Sequence, residues 1–204
     1  HLAGTDFDQS VNMAAIMPEL GFGSIGPGGR RVPGKVYFDL ATWHLINTVY
    51  GHNRIIELRE MVSMYADLRR YQRLMTVVTR HLGHQLAARA EQAKIDVAMH
   101  RGATIDLDAV EDGLTVAFTE AQQSQALDHK VERIVATAAD TVAQAGVAPG
   151  KISAIYFTGG STGLGFLTER IAAQFPQARP VSGDRFSSVA SGLGIYAQRR
   201  FGTV

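Results

Sequence analysis

The residues best suited to chemistry are Thr158-Gly159-Gly160-Ser161-Thr162, directly after the apolar run Ile155-Tyr156-Phe157. A buried strand ending in paired glycines lets backbone amides approach a phosphate closely, because no Cβ intervenes. A helix beginning beyond such a turn presents unpaired N–H groups and the positive end of its dipole to the same anion. Ser161 and Thr162 are suited to cap that helix or to donate to a ligand. A tight strand-to-helix turn without a ligand explains the same residues, so the local pattern leaves both readings open.

Other constellations are weaker. Gly29-Arg30-Arg31-Val32-Pro33-Gly34-Lys35 reproduces the first seven positions of the P-loop pattern, but Val36 stands where Ser or Thr must hold Mg²⁺. No strand is expected before it and the segment after Lys35 reads as extended, so the phosphate-cradling nest lacks support. His81 and His84 are spaced to share a helical face, as metal ligands would, yet no third ligand lies nearby. His44, His52, His100 and His129 are scattered and read as surface or packing residues. Asp6 and Asp8 invite a metal or phosphotransfer role, but a helix cap accounts for them better. Glu91 and Lys94 stand three apart on an expected helix, a spacing that by itself describes a solvated ion pair.

These residues need elements to position them. Asp6 or Asp8 followed by Val11-Asn12-Met13-Ala14-Ala15-Ile16-Met17 suggests a capped helix start. Residues 21–36, with six glycines, Pro27 and Pro33, read as a mobile loop. Residues 39–98 are expected to be mostly helical, with apolar residues such as Leu74, Val78, Leu82 and Leu86 at helical spacing and the stretch Met75–Val97 the most helix-like. Met61, Met64, Tyr65, Leu68, Tyr71 and Met75 read as core or inter-lobe packing, with a partner groove as the alternative.

Period-two alternation in 104–110, the turn Glu111-Asp112-Gly113 and the run 114–118 predict a hairpin. A helix follows from Glu120 to about Ala145, ended by Gly146 and Pro149. A strand over 152–157, the glycine-rich turn, a helix over 166–174 and a last helix over about 186–201 complete an α/β unit whose ligands belong beyond the strand's carboxyl end.

Bulk properties narrow the function. The chain has 204 residues, 46% hydrophobic and 19% charged, with a formal net charge of +1. That balance argues against a dedicated nucleic-acid binder. Residues 54–101 carry nine Lys or Arg against five acids, but no stacking aromatics are interleaved, so a solvated helical face is expected. Cysteine is absent, which excludes disulfides and thiolate sites. No apolar run approaches the roughly 20 residues of a membrane span. The first residue is His1 and no signal region follows, so a piece beginning inside a larger protein is expected.

Three stretches, in order, resemble DnaK-type heat-shock chaperones. His1-Leu2-Ala3-Gly4-Thr5-Asp6-Phe7-Asp8 is similar to the family's HLGGEDFD, Ala90-Glu91-Gln92-Ala93-Lys94-Ile95-Asp96-Val97 to its AEKAKIEL, and Ile155–Thr162 to its strand followed by GGSTR or GGQTR. Ser188–Gly194 resembles AVAYGAAV more loosely. The set brackets nearly the whole chain and looks most like the divergent YegD-type relatives, which lack a separate peptide-binding domain.

The resemblance implies an α/β fold, the second lobe of an actin-like ATPase. Residues 1–20 and 150–204 would form a partial, ribonuclease-H-like inner subdomain. Residues 21–149 would form an outer helical subdomain with a small antiparallel sheet. It implies that Glu91 and Lys94 hold the ribose, that Ile95 packs on the base, that Gly159, Gly160, Ser161 and Thr162 meet phosphate or ribose, and that Asp184 is an approximate counterpart of a family acid. Gly163 stands where the family often has an adenine-stacking Arg, and Ala98 where it has a base-contacting Ser. Phosphate and ribose contacts are therefore kept while base contacts are thinned.

The family's first phosphate loop, catalytic Lys and Mg²⁺-linked acids precede its HLGG motif. This chain alone is thus expected to bind ATP or ADP without hydrolysing it, with Mg²⁺ only when the other lobe is present. Implied partners are adenine nucleotide, a client protein and a nucleotide-exchange factor, with no nucleic acid and no membrane, in the cytoplasm. The alternatives are a small-molecule, sugar-type kinase of the same superfamily and a non-catalytic nucleotide-sensing scaffold.

Overall fold

A computed structural model describes residues 2, 4–183 and 188–202. The chain is mixed α/β, mostly helical, with two small two-stranded sheets. It divides into two compact units, the first running to Asp128 and the second starting at His129.

The first unit is built around α5 (Gly83–His100). Leu86, Ala90, Ala93 and Val97 recur at spacings of four, three and four, which puts one apolar stripe on one side of this helix, and all four are buried. Small alanines in the stripe let neighbouring backbones come close. α1 (Gly4–Val11) and the hairpin pack on it. The hairpin pairs β1 (Gly102–Asp106) with β2 (Thr115–Thr119) in antiparallel register, Gly102 opposite Thr119 and Asp106 opposite Thr115. Its turn contains Gly113 at φ +69°, as the Asp112-Gly113 pair requires. Arg101 ends α5 in the left-handed region, at φ +64°, while its N–H still bonds Val97 O.

α4 (Leu68–Thr79) is capped by Asp67, whose carboxylate accepts from the Arg69 and Arg70 amides at 3.0 and 3.3 Å. Arg73 is buried on this helix. It makes a bidentate pair with Glu111 at 2.9 and 3.0 Å and reaches Glu19 Oε2 at 2.7 Å. The hairpin turn, α4 and the segment after α1 are therefore joined at one guanidinium. With Arg89 on Asp106, Arg54 on Glu57 and Arg70 on Asp67, much of the basic excess in 54–101 is spent on ion pairs within the unit.

Several local expectations are corrected. Asp6 and Asp8 lie inside α1, which begins at Gly4, so neither is its cap. The helix continues through a π-turn at Asn12–Ile16 and a 3₁₀ turn at Met17–Leu20. The glycine-rich segment holds a 3₁₀ turn at Pro27–Gly29 and a bridge between Ile25 and Arg31. The residues after Lys35 are not extended: they form α2 (Lys35–Ala41), because Val36, Tyr37, Leu40 and Ala41 all find the core. Tyr37 also donates to or accepts from Tyr65 at 2.6 Å.

The helical region is broken more often than its composition suggests, with α3 (His52–Glu60) between two 3₁₀ turns. Met75–Val97 is interrupted at 80–82. His81 adopts φ +57° and stacks on Tyr50, ring centroids 4.2 Å apart. His84 instead lies in the first turn of α5, beside Asn47 and Trp43. The two histidines therefore do not share a helical face, and no metal-ligating cluster exists among the described residues. Met64 and Leu68 face solvent, while Tyr65 is buried and Met61, Tyr71 and Met75 pack on the core.

In the second unit, β3 (Ala154–Phe157) pairs in parallel with β4 (Arg179–Ser182), Phe157 opposite Ser182. α7 (Gly165–Ala173) is the crossover that parallel pairing demands. Phe157, Leu164, Leu167, Phe175 and Ala178 are buried. β4 contains Pro180 and gives no strand signal in sequence. α6 (Glu120–Gln144) and α8 (Ser188–Phe201) match the expected helices within two residues at the described ends. No described helix is long and apolar enough to cross a membrane.

Candidate functional site

The first unit carries a cavity of about 300 Å³ between α1, the end of α2 and the first half of α5. Thr5, Asp8, Gln9 and Asn12 line it from α1 and the π-turn, and Glu91 lines it from α5. Ala41, Ala87 and Ala88 give it small apolar walls, and Trp43 stands at its edge, 61% exposed. These side chains converge because α1, which buries Phe7 and Val11, packs on α5, whose buried stripe carries the small residues Ala90 and Ala93.

Lys94 and Glu91 are both on α5 but do different things. Lys94 Nζ lies 2.6 Å from Asp8 Oδ1, with side-chain exposures of 12% and 18%. Glu91 is exposed. The solvated Glu91–Lys94 pair suggested by spacing is therefore replaced by a shielded pair across to α1. Burial raises the Asp8 carboxyl above its ordinary range, the Lys94 ammonium opposes that rise, and the charge of Glu91 adds to it. Sequence reasoning missed the Asp8 partner because the two residues are far apart in the chain. Ile95 is exposed.

Asn12 is the other residue that sequence reasoning passed over. It is 1% exposed, and neither its Oδ1 nor its Nδ2 has a hydrogen-bond partner. Gln9, by contrast, donates its amide to Thr42 Oγ1 at 2.7 Å.

The second unit carries the glycine-rich turn. Gly159 follows β3 at φ +90°, ψ 157°, and no atom lies within 4 Å of where its Cβ would be. Glycine is needed there for backbone shape, and the space beside it is open. Gly160–Gly163 form a 3₁₀ turn, with Thr162 N–H and Oγ1 both donating to Gly159 O, at 3.1 and 2.7 Å. Neither Ser161 nor Thr162 caps α7. That helix begins after Leu164 and has no side-chain cap. Asp184 lies outside the described residues.

No known protein-family profile matches the chain.

Proposed function

We propose that the chain is the second lobe of an actin-like, DnaK-related chaperone ATPase, and that it supplies one wall of an adenine-nucleotide site without hydrolysing ATP by itself. The observation that carries this reading is Gly159. It sits just beyond the carboxyl end of a strand, at a positive φ with extended ψ that glycine alone adopts readily, and open space lies beside it, which leaves the backbone accessible to phosphate or ribose. Gly159 and Gly160 would meet phosphate or ribose through main-chain N–H groups, the Thr162 N–H being taken by Gly159 O, Glu91 would accept from ribose hydroxyls, and Ile95 would lie against the base.

Two features support a larger lobe around the second unit. A two-stranded parallel sheet is rarely stable unless covered on both faces, yet Tyr156 in β3 is 72% exposed. Residues 190–201 of α8 are exposed along their whole length. Further strands and another lobe would cover both.

A non-catalytic nucleotide-sensing scaffold is the second reading, favoured by Gly163, by Ala98 and by the engagement of Lys94 with Asp8. Photo-crosslinking of the intact protein with an azido-adenine nucleotide tests the first claim common to both. Labelled peptides containing 91–95 or 158–163 support it, and labelling that excludes both contradicts it.

A further inference from the structure

The glycine-rich segment of the first unit forms a short tongue. Gly26 N–H donates to Arg30 O at 2.7 Å and Val32 N–H to Ser24 O at 3.0 Å, which sets Ile25 opposite Arg31 in an antiparallel bridge. Residues directly opposite share a face, and alternate residues take the other. Val32 is buried, so the Ser24–Val32 pair faces the core. Ile25 and Arg31 are left side by side on the outer face, with Ile25 51% exposed. Gly26 rests on the 3₁₀ turn Met61–Met64, where a Cβ would overlap Met64 O. Arg70 of α4 reaches Ser24 Oγ at 3.4 Å. The tongue is thus seated on that turn and on α4.

Apolar and basic groups meet here. Val62 and Met64 on the turn and Leu68 at the start of α4 are exposed. Grouped apolar side chains on a surface mark a contact with another molecule, where single ones do not. The charge around them is one-sided. Glu19 and Glu111 are held by Arg73, and Asp67 by Arg70 and the α4 amides. Arg30, Arg31 and Arg59 are exposed and make no ion pair in the described chain. Against them stands Glu60, exposed at the end of α3. The backbone is open as well. Ile25 and Arg31 form the non-hydrogen-bonded kind of antiparallel pair, so their N–H and C=O groups point away from each other, and none bonds to the described chain. An unpaired strand edge is a template for another extended chain.

We propose that the tongue binds an extended, acidic segment of a partner protein by strand addition. The partner's main chain pairs with an open edge of the tongue, its carboxylates meet Arg30 and Arg31, and its apolar side chains cover Ile25 and Met64. A lipid surface or a nucleic acid would answer the arginines, but neither supplies main-chain groups for the edge. The inference uses no residue of the nucleotide reading and stands or falls apart from it.

The probe is a fluorescein-labelled octapeptide, Glu-Glu-Val-Val repeated, in which each face of the extended chain alternates an acid with an apolar residue. Lys-Lys-Val-Val and Glu-Glu-Ser-Ser repeats separate the charge from the apolar part, and phosphatidylglycerol vesicles test a lipid surface. Anisotropy titrations with the whole chain should show saturable binding of the first peptide, weakened by salt, and none of the lysine peptide. The serine peptide should bind about fivefold or more weakly. Ile25→Ser and Arg31→Glu should each weaken binding by about fivefold or more with unchanged Tm, because both side chains face solvent. Arg133→Glu, the same charge change at an exposed position of α6, should leave it unchanged. Absence of saturable binding by the acidic peptide overturns the proposal, as does equal binding of the lysine peptide, unchanged affinity in Ile25→Ser and Arg31→Glu, or binding of vesicles without binding of the peptide.

Discussion

Lys94 Nζ and Asp8 Oδ1, 2.6 Å apart and largely shielded from water, tie the middle of α5 to α1 at the rim of the cavity. The pair lies between the two regimes of ion-pair energetics. It is too buried to be a screened surface contact and too exposed to carry the full penalty of a dry one. Removing either partner strands the other. Lys94→Met or Asp8→Leu should each destabilise the first unit by about 2 kcal/mol, read as a fall in urea midpoint with unchanged slope. The double variant should recover most of the loss. Additive losses would mean that the pair contributes no coupling.

Asp8 also gives a pH signature. Its folded carboxyl titrates above the ordinary value because burial disfavours its charge. The folded state therefore holds this proton more tightly than the unfolded state does. Its contribution to stability is greatest below the ordinary carboxylate value and falls as pH rises through the raised one. Asp8→Asn should flatten that part of the stability profile, measured by urea titration across the acid range. An unchanged slope would contradict the assignment.

Glu111 behaves in the opposite sense. Hydrogen bonds from Arg73 and then Arg69 pull its carboxyl down to about 2. Its stabilising contribution is fully present above the ordinary value of 4.5 and is lost as pH falls toward 2. Glu111→Gln should remove this acid-side loss. Arg73→Met should lower stability at neutral pH by about 2 kcal/mol, because Arg73 is buried and both Glu111 and Glu19 lose a partner. Melting curves at neutral and acid pH check both; a neutral-pH Tm unchanged in Arg73→Met would contradict the shared role of this guanidinium.

Gly83 sets how α5 enters the core. Its amide donates to Tyr50 Oη at 2.8 Å, and an added Cβ would stand 2.6 Å from both Tyr50 Oη and Ile46 Cγ2. Alanine is the better helix former, so propensity alone predicts that Gly83→Ala stabilises. Overpacking predicts a loss of about 1–3 kcal/mol instead. A lower Tm in Gly83→Ala supports the close approach; a higher one contradicts it.

The hairpin was legible as a hairpin because Asp112-Gly113 acts locally, but its first strand is Gly102–Asp106 rather than 104–110, with residues 107–114 forming the connection. α6 was legible because its ends carry strong stop signals. The α2 helix was hidden by the glycines and prolines before it, and only burial of Val36, Tyr37 and Leu40 makes it helical. The break at His81 was invisible in an apolar, proline-free run, since it depends on stacking against Tyr50 thirty-one positions earlier. β4 is four residues with a proline and exists through its pairing with β3. At the site, the glycine-rich turn was readable as a turn. The roles of Asp8 and Asn12 were not, because both follow from packing α1 against α5.

Gly159→Ala separates shape from sterics. The position is open, so no clash is expected. The positive φ alone should destabilise the second unit by roughly 1–2 kcal/mol, visible as faster amide exchange in β3 and α7. Unchanged exchange would show that the turn tolerates a side chain there.

Calorimetric titration of the intact protein with ATP and with GTP tests the central claim most directly. The account predicts binding on the order of 10 μM or weaker, GTP within about tenfold of ATP, and loss of both in Gly159→Val and Glu91→Ala. Tight, strictly ATP-selective binding, or binding indifferent to both substitutions, would contradict it.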